Sequence, residues 1–363
     1  MSSNIKERYK VSAGMAFFLI HTMQIGIGIL GYERYIAMDA EYDSWISIII
    51  TGLSIHLILW MMYSMLNKEN GDLIAIHARA YGERLGKFFS FLFAIYFLLM
   101  GVTVMRSYLE VVQVWMFPDM NMPFVLLVFI ILIYYTVSAG FRVVAGIAFF
   151  GVTLPSVLIF FLYFPLQYSD WDYLQPVFNH SIKDILLSSK VATLEYIGFE
   201  VILILYPFLK KAEKSQKWSH FGILFSTFLY VVVAIVAFSY YSQEQLGRTI
   251  WATLSMFKIA EFPFVERFEY IAITIWALIT FPNICISLWC AGRTLKRTFS
   301  IRQRRSLIGM LLIVYLLQLL ISDREMTDMF ITAVSRTGFY LIYFYTPFLF
   351  IIFHLQSRRR RER

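Results

Sequence analysis

Charge is scarce in this sequence: Asp, Glu, Lys and Arg together make up 15% of its 363 residues, against about a quarter in a typical water-soluble domain. With 59% of the residues drawn from the hydrophobic set, a soluble fold could not hide the apolar surface, and that class is excluded. Cysteine is nearly absent. The two present, Cys285 and Cys290, sit in an apolar stretch with no His or Cys partner at metal-ligand spacing, so they read as packing residues and no metal is expected. No nucleophile-plus-base constellation, P-loop or dinucleotide fingerprint occurs, so neither an enzyme nor a cofactor is expected. The first apolar segment, from Val11, has no small-residue cleavage site after it and reads as a retained helix, not a signal peptide.

What is abundant is aromatic and apolar. The 35 Phe and 23 Tyr suit a lipid-facing surface with interfacial belts, and 16 Met supply adaptable packing. Ten segments come close to the roughly 20 apolar residues that a hydrocarbon core demands: 11–31, 44–66, 87–117, 123–139, 142–167, 191–209, 218–242, 268–291, 305–321 and 336–355. No soluble domain is left over.

Net charge is +8, yet the basic residues gather in short connections and at the C-terminus. With the N-terminus placed inside, twenty-three of the 32 Lys and Arg fall on that side: three before the first segment, four, one, four and six in alternate connections, and five after the last. Eight fall on the other side, and Arg106 lies within a segment. The positive-inside rule therefore places both termini in the cytoplasm. The basic residues read as topology signals and contacts to the lipid bilayer, not as a nucleic-acid surface. Between Gln243 and Glu266, Leu246, Ile250, Leu254 and Phe257 recur close to helical spacing, which predicts a short helix over the outer mouth.

Two interruptions of the apolar pattern carry the functional signal. Gln24-Ile25-Gly26-Ile27-Gly28-Ile29-Leu30-Gly31 places three glycines in six residues at about mid-membrane depth, and each costs a helix about 1 kcal/mol relative to alanine. A break there frees backbone N–H and C=O groups, which persist in a membrane only if buried in protein or lining a cavity. Close helix packing through small residues is the competing explanation. Glu195-Tyr196-Ile197-Gly198-Phe199-Glu200 sets two carboxylates in an otherwise apolar run, with Pro207 beyond. A carboxylate at the centre of a spanning helix costs about 2.5–3.5 kcal/mol on insertion scales. Candidate partners are the freed backbone of the first segment, a water-filled cavity, Arg106 or a ligand amino group; an ion pair locking two helices is the structural alternative.

If segments one to five and six to ten are repeats, the odd number per half inverts the second half, and interruptions at the head of each half point to a transporter-type site. There a half-helix N-terminus offers N–H groups to an anion and unwound carbonyls receive a cation. An amino acid zwitterion carries both. Arg106 and Glu110, four apart, are expected to pair on one helix face. Pro155, Pro282 and Pro347 read as kinks, with Phe281-Pro282-Asn283 able to open the eighth segment toward the site.

These residues resemble the amino acid/polyamine/organocation (APC) permeases, and within them the endospore germination proteins that form the membrane-embedded B subunit of nutrient germinant receptors. Gly26-Ile27-Gly28-Ile29-Leu30 is similar to the permeases' glycine-rich break and Gly198-Phe199-Glu200 to their Gly-Phe-acid step. Pro207, Lys210-Lys211 and Glu266-Arg267-Phe268-Glu269 look like the germination branch, whereas Tyr32-Glu33-Arg34 departs where many relatives carry proline. The resemblance implies an all-α membrane protein: ten transmembrane helices in a 5+5 inverted repeat of the LeuT type, APC superfamily, with helices 1 and 6 broken. Repeat one would cover about 11–167 and repeat two about 191–355 of a single transmembrane domain, with 356–363 a short basic cytoplasmic tail.

It further implies the spore inner membrane, assembly with a larger A-type membrane subunit and a C-type lipoprotein subunit, and recognition of a small nutrient, commonly an amino acid. By position, Gly26, Ile27 and Gly28 would meet the ligand carboxylate; Tyr196, Ile197 and Gly198 would meet its amino end. Glu200 would orient the site or take up a proton. Gln24 joins the ligand-binding residues, and Val102, Thr103 and Phe281 would set side-chain selectivity. A proton- or cation-coupled amino acid transporter is the alternative function, and a purely structural membrane scaffold a third.

Overall fold

The structure, a computed structural model, describes residues 5–260, 267–321 and 323–359, the side chains of 358 and 359 excepted. Glu266, with the end of the outer connection, and the arginine cluster at 360–363 lie outside the described residues. The described residues are mainly helical: α1 (Met15–Gln24), α2 (Tyr32–Ala40), α3 (Ser44–Glu69), α4 (Leu73–Tyr81), α5 (Glu83–Trp115), α6 (Met122–Ser138), α7 (Phe141–Thr153), α8 (Tyr163–Leu166) and α9 (Ile182–Tyr196). There follow α10 (Ile202–Leu205), α11 (Ser215–Tyr240), α12 (Gln243–Arg248), α13 (Ala252–Met256), α14 (Phe268–Phe299), α15 (Gln303–Leu320), α16 (Arg324–Tyr340) and α17 (Thr346–Arg359).

Among the described residues seven helical stretches are long and apolar enough to cross a membrane, and the pair Ile182–Tyr196 and Phe199–Phe208, bent by 49°, makes an eighth if counted as one. The shorter apolar helices α1 and α6 add to these. Most limits lie within a few residues of the apolar segments, and the larger differences have local causes. α9 starts at Ile182 and not at 191 because Ser181 and Asp184 form a reciprocal capping box. α16 starts at Arg324 and not at 336 because the Asp323 carboxylate accepts the Met326 N–H at 2.8 Å. Beyond α7, Pro155 removes a helical donor and the chain tightens into a 3₁₀ stretch to Leu162.

α5 and α14 form the most extensive helix pair, brought close where Gly101 faces Ser287 and Leu288. α9 is fastened to α3 and α2 by hydroxyls that donate to carbonyls across the contact: Ser47 to Ile185 at 2.9 Å, Thr51 to Ser189 at 3.0 Å and Ser188 to Ile36 at 2.8 Å. Such bonds replace the hydrophobic drive that lipid does not supply. Arg106 donates through Nε to Thr327 at 3.1 Å, and Glu110 lies 4.0 Å from Arg324, so both look toward the start of α16. The attraction between Arg106 and Glu110 expected along α5 is present, and contacts between helices are added to it.

The two ends are closed by different means. At one, Val11 donates to the Phe208 carbonyl at 2.9 Å and accepts from the Lys210 N–H at 2.8 Å. At the other, the helix expected between Gln243 and Glu266 is present as two, α12 and α13, with Leu246, Leu254 and Phe257 buried. This segment lies directly on α2: a side chain at Gly31 would overlap the Ile250 carbonyl, and Thr253 donates to Glu33.

Candidate ligand site at the helix interruptions

α1 stops at Gln24. Ile25 is extended (φ −93°, ψ 102°), and the chain regains only a 3₁₀ turn over Gly28–Leu30 before α2 begins. Among the described residues the N–H groups of Gly26, Ile27 and Gly28 donate to no backbone carbonyl, while the carbonyls of Gln24, Ile25 and Gly26 are claimed by neighbouring helices. Trp276 Nε1 donates to Gly26 O at 3.0 Å, Asn283 Nδ2 to Ile25 O at 3.4 Å and the Tyr230 hydroxyl to Gln24 O at 2.7 Å. These bonds hold the chain open in a region that cannot hydrogen-bond it with water.

α9 stops at Tyr196. Ile197 is extended, Gly198 takes φ +119°, and a 3₁₀ turn follows over Phe199–Val201. Glycine is required twice over at 198: the positive φ disfavours any side chain, and a Cβ would lie 2.7 Å from the Met23 carbonyl. The interruptions therefore touch. Tyr230 braces both, since its hydroxyl also reaches the Glu195 carbonyl at 3.3 Å, and Gln24 Nε2 reaches the Tyr196 carbonyl at 3.5 Å.

The two carboxylates have different surroundings. Glu200 is buried and turned back on its own break, accepting from the Gly198 N–H at 2.8 Å and from the Tyr96 hydroxyl at 2.5 Å. None of the partners considered from sequence supplies those bonds. Glu195 is half-buried and lies flat against Gly28, so close that a Cβ there would overlap its carboxylate. Among the described residues no hydrogen bond or ion pair reaches that group. Nearby buried acceptors lack donors too: Gln24 Oε1, Asn283 Oδ1 and Glu33 Oε2.

Of the residues singled out from sequence, Gln24, Gly26, Ile27, Gly28, Tyr196, Ile197, Gly198 and Glu200 lie at the two touching interruptions. Ile197 packs against Gly338 of α16. The Tyr196 ring points to α11, its hydroxyl 2.9 Å from Thr227 Oγ1. Val102 is fully buried and its carbonyl accepts from Gln318 of α15, while Thr103 donates to Leu99 within α5. Phe281 lies roughly 200° round α14 from Asn283 and is half-buried against the apolar core. The α14 side chains that do reach the first interruption, Trp276 and Asn283, were not singled out for binding. Seven residues apart, they share a helix face, and that spacing was the available signal. Tyr230, one tyrosine among 23, carried none.

Residues 10–327 match the spore germination protein family. The chain belongs to that family. It is 41% identical over 353 residues to the spore germination protein GerQB of Bacillus cereus, a match covering 97% of this chain and 98% of that protein. It is 24% identical over 359 residues to spore germination protein A2 of Bacillus subtilis (strain 168), with 97% of each chain covered. Among solved structures, a substrate-bound, outward-open Na+-coupled sialic acid symporter superposes with a TM-score of 0.67, covering 96% of this chain and 79% of that one at 11% identity. MhsT in complex with L-phenylalanine superposes with a TM-score of 0.58, covering 94% and 98% at 11% identity. At such identity the likeness speaks for the fold: this spore germination protein is a multi-pass membrane protein with a transporter-like helical architecture, and its family and structural neighbours are permeases and transporters.

Proposed function

We propose that this chain is the nutrient-sensing membrane subunit of a spore germination receptor and that its ligand, a small nutrient of the amino acid class, sits where the two helix interruptions meet. The observation that carries the reading is the pairing of opposite unmet needs at one place. Among the described residues, the N–H groups of Gly26, Ile27 and Gly28 donate to no backbone carbonyl, and no hydrogen bond or ion pair reaches the Glu195 carboxylate beside Gly28. A carboxylate and an ammonium on one small molecule answer both. Gln24, Tyr196, Ile197 and Gly198 enclose the site, Glu200 braces it, and Val102, Thr103 and Phe281 stand as the selectivity positions to be tested.

In this reading the chain has ten spans. The first is α1 with α2, broken at 25–27; the sixth is α9 with α10, broken at 197–198. The repeats run over about 11–167 and 191–355 in inverted topology, with both termini cytoplasmic and the protein in the spore inner membrane. An A-type membrane subunit and a C-type lipoprotein subunit complete the receptor. Ligand binding acts by its differential affinity for two arrangements of the interruptions.

The alternative is a proton- or cation-coupled amino acid transporter. It is favoured by the retention of both interruptions, the elements on which alternating access turns. Purified protein in liposomes, given a panel of labelled amino acids with and without an inward proton gradient, separates the two. Saturable binding without accumulation supports sensing, gradient-driven accumulation supports transport, and the absence of binding to any of them removes the amino acid reading.

A further inference from the structure

A second charged feature lies away from the interruptions, at the end of the molecule where Val11 pairs with Phe208 and Lys210. An open basin of about 740 Å³ is walled by the N-terminal segment at Ser12 and Ala13, by the link Lys210–Lys214 and by the first turn of α11. Lys210, Lys211, Lys214 and Lys217 all line it, against a single acid, Glu213. None of the four lysines is in an ion pair among the described residues, although lysines elsewhere are, as Lys10 is with Glu7 and Lys87 with Glu83. Four lysines around one concavity make it a strongly positive patch, and Lys211 stands there with φ +49°.

The rim is amphipathic. Trp218 lies over Gly14, its ring 3.8 Å from where a Cβ would stand. Trp218 and Phe221 stay exposed on the first two turns of α11, a helix apolar enough to span. An exposed tryptophan at the end of a spanning helix sits at headgroup depth.

We propose that this basin binds the phosphate group of an anionic lipid, clamping the N-terminal segment to the link between α10 and α11. The bound phosphate offsets part of the positive charge of the lysine cluster, and the lipid tail lies along Trp218 and Phe221. Because the link continues directly from the second interruption through α10, the clamp holds one of the two arms that define the candidate ligand site.

The test uses purified full-length protein in nanodiscs of phosphatidylcholine alone or with three-tenths phosphatidylglycerol, read by thermal unfolding and by native mass spectrometry of retained lipid. The variant is K210Q/K211Q/K214Q/K217Q. A charge-matched control carries K296Q/R302Q/R304Q/R305Q in the last turn of α14 and the connection to α15, and K214Q/K217Q stands in should the fourfold variant fail to fold. Each neutralised lysine is expected to weaken lipid retention about fivefold, with an effect that shrinks as salt rises, and the control is expected to behave as wild type. A separate arm adds inorganic phosphate to the phosphatidylcholine discs. Stabilisation there that the lysine variant abolishes, without retention of phosphatidylglycerol, would reassign the basin to a soluble phosphate and overturn the lipid proposal. Equal retention by wild type and the lysine variant, or equal loss in the control, would overturn it as well.

Discussion

The Glu195 carboxylate rests against the α-carbon of Gly28, one residue from each interruption's edge, and no donor meets it among the described residues. Five residues on, Glu200 is met twice, by Tyr96 and by the Gly198 N–H. One acid is free for a ligand and the other is committed to the fold. Glu195→Gln is therefore expected to weaken binding of an ammonium-bearing ligand about 10- to 100-fold, the worth of a charged hydrogen bond, with little change in thermal stability. Glu200→Gln keeps an oxygen to accept from the Gly198 N–H and can donate its amide N–H to the Tyr96 oxygen in place of the present bond, and it is expected to leave affinity and its pH response unchanged. Titrations of the two variants side by side check this; the reverse ranking would exchange their roles.

Tyr96→Phe leaves Glu200 Oε1 without the hydroxyl that it accepts from. An unmet buried acceptor costs about 1–3 kcal/mol, so the variant should unfold at lower temperature. An unchanged melting point would mean that the bond carries no weight.

Tyr230→Phe removes one hydroxyl that serves the carbonyls of both Gln24 and Glu195. Membrane hydrogen bonds average only about 0.6 kcal/mol, so the expected loss of stability is small. The loss of order is local: faster hydrogen exchange at 24–28 and 195–198 with the rest of α11 unaffected. Uniform exchange across the molecule would contradict the bracing role.

Gly198→Ala is expected to be far more damaging than its size suggests. The new Cβ meets a backbone carbonyl, that of Met23, in a conformation with φ +119° that alanine resists. Expression and thermal unfolding in detergent measure it, and wild-type behaviour would show that the interruptions do not touch in solution.

Much of the architecture could be read from local composition. The apolar segments follow from the cost of burying charge in lipid, and the family from the glycine steps, the Gly-Phe-acid step and the layout of the chain. Segment ends at 182 and 324 were missed because caps such as Ser181 with Asp184 and Asp323 extend a helix past its apolar run. At the site, Glu195 and Glu200 looked alike as carboxylates in an apolar run. What separates them is Tyr96, about a hundred positions away in the chain, and no local pattern records that distance. Trp276 and Asn283 were overlooked for Phe281 because choosing a helix face requires knowing which neighbour it meets.

The central claim is that a ligand binds against Gly28, and replacement of this glycine tests it most directly. In Gly28→Leu the new Cβ meets first the end of the Glu195 side chain, a flexible group and not backbone, so the fold should survive while the site is filled. Equilibrium binding of a labelled amino acid to wild type and variant in nanodiscs, at matched thermal stability, should show saturable binding to the first and none to the second. Undiminished binding by Gly28→Leu would contradict the account.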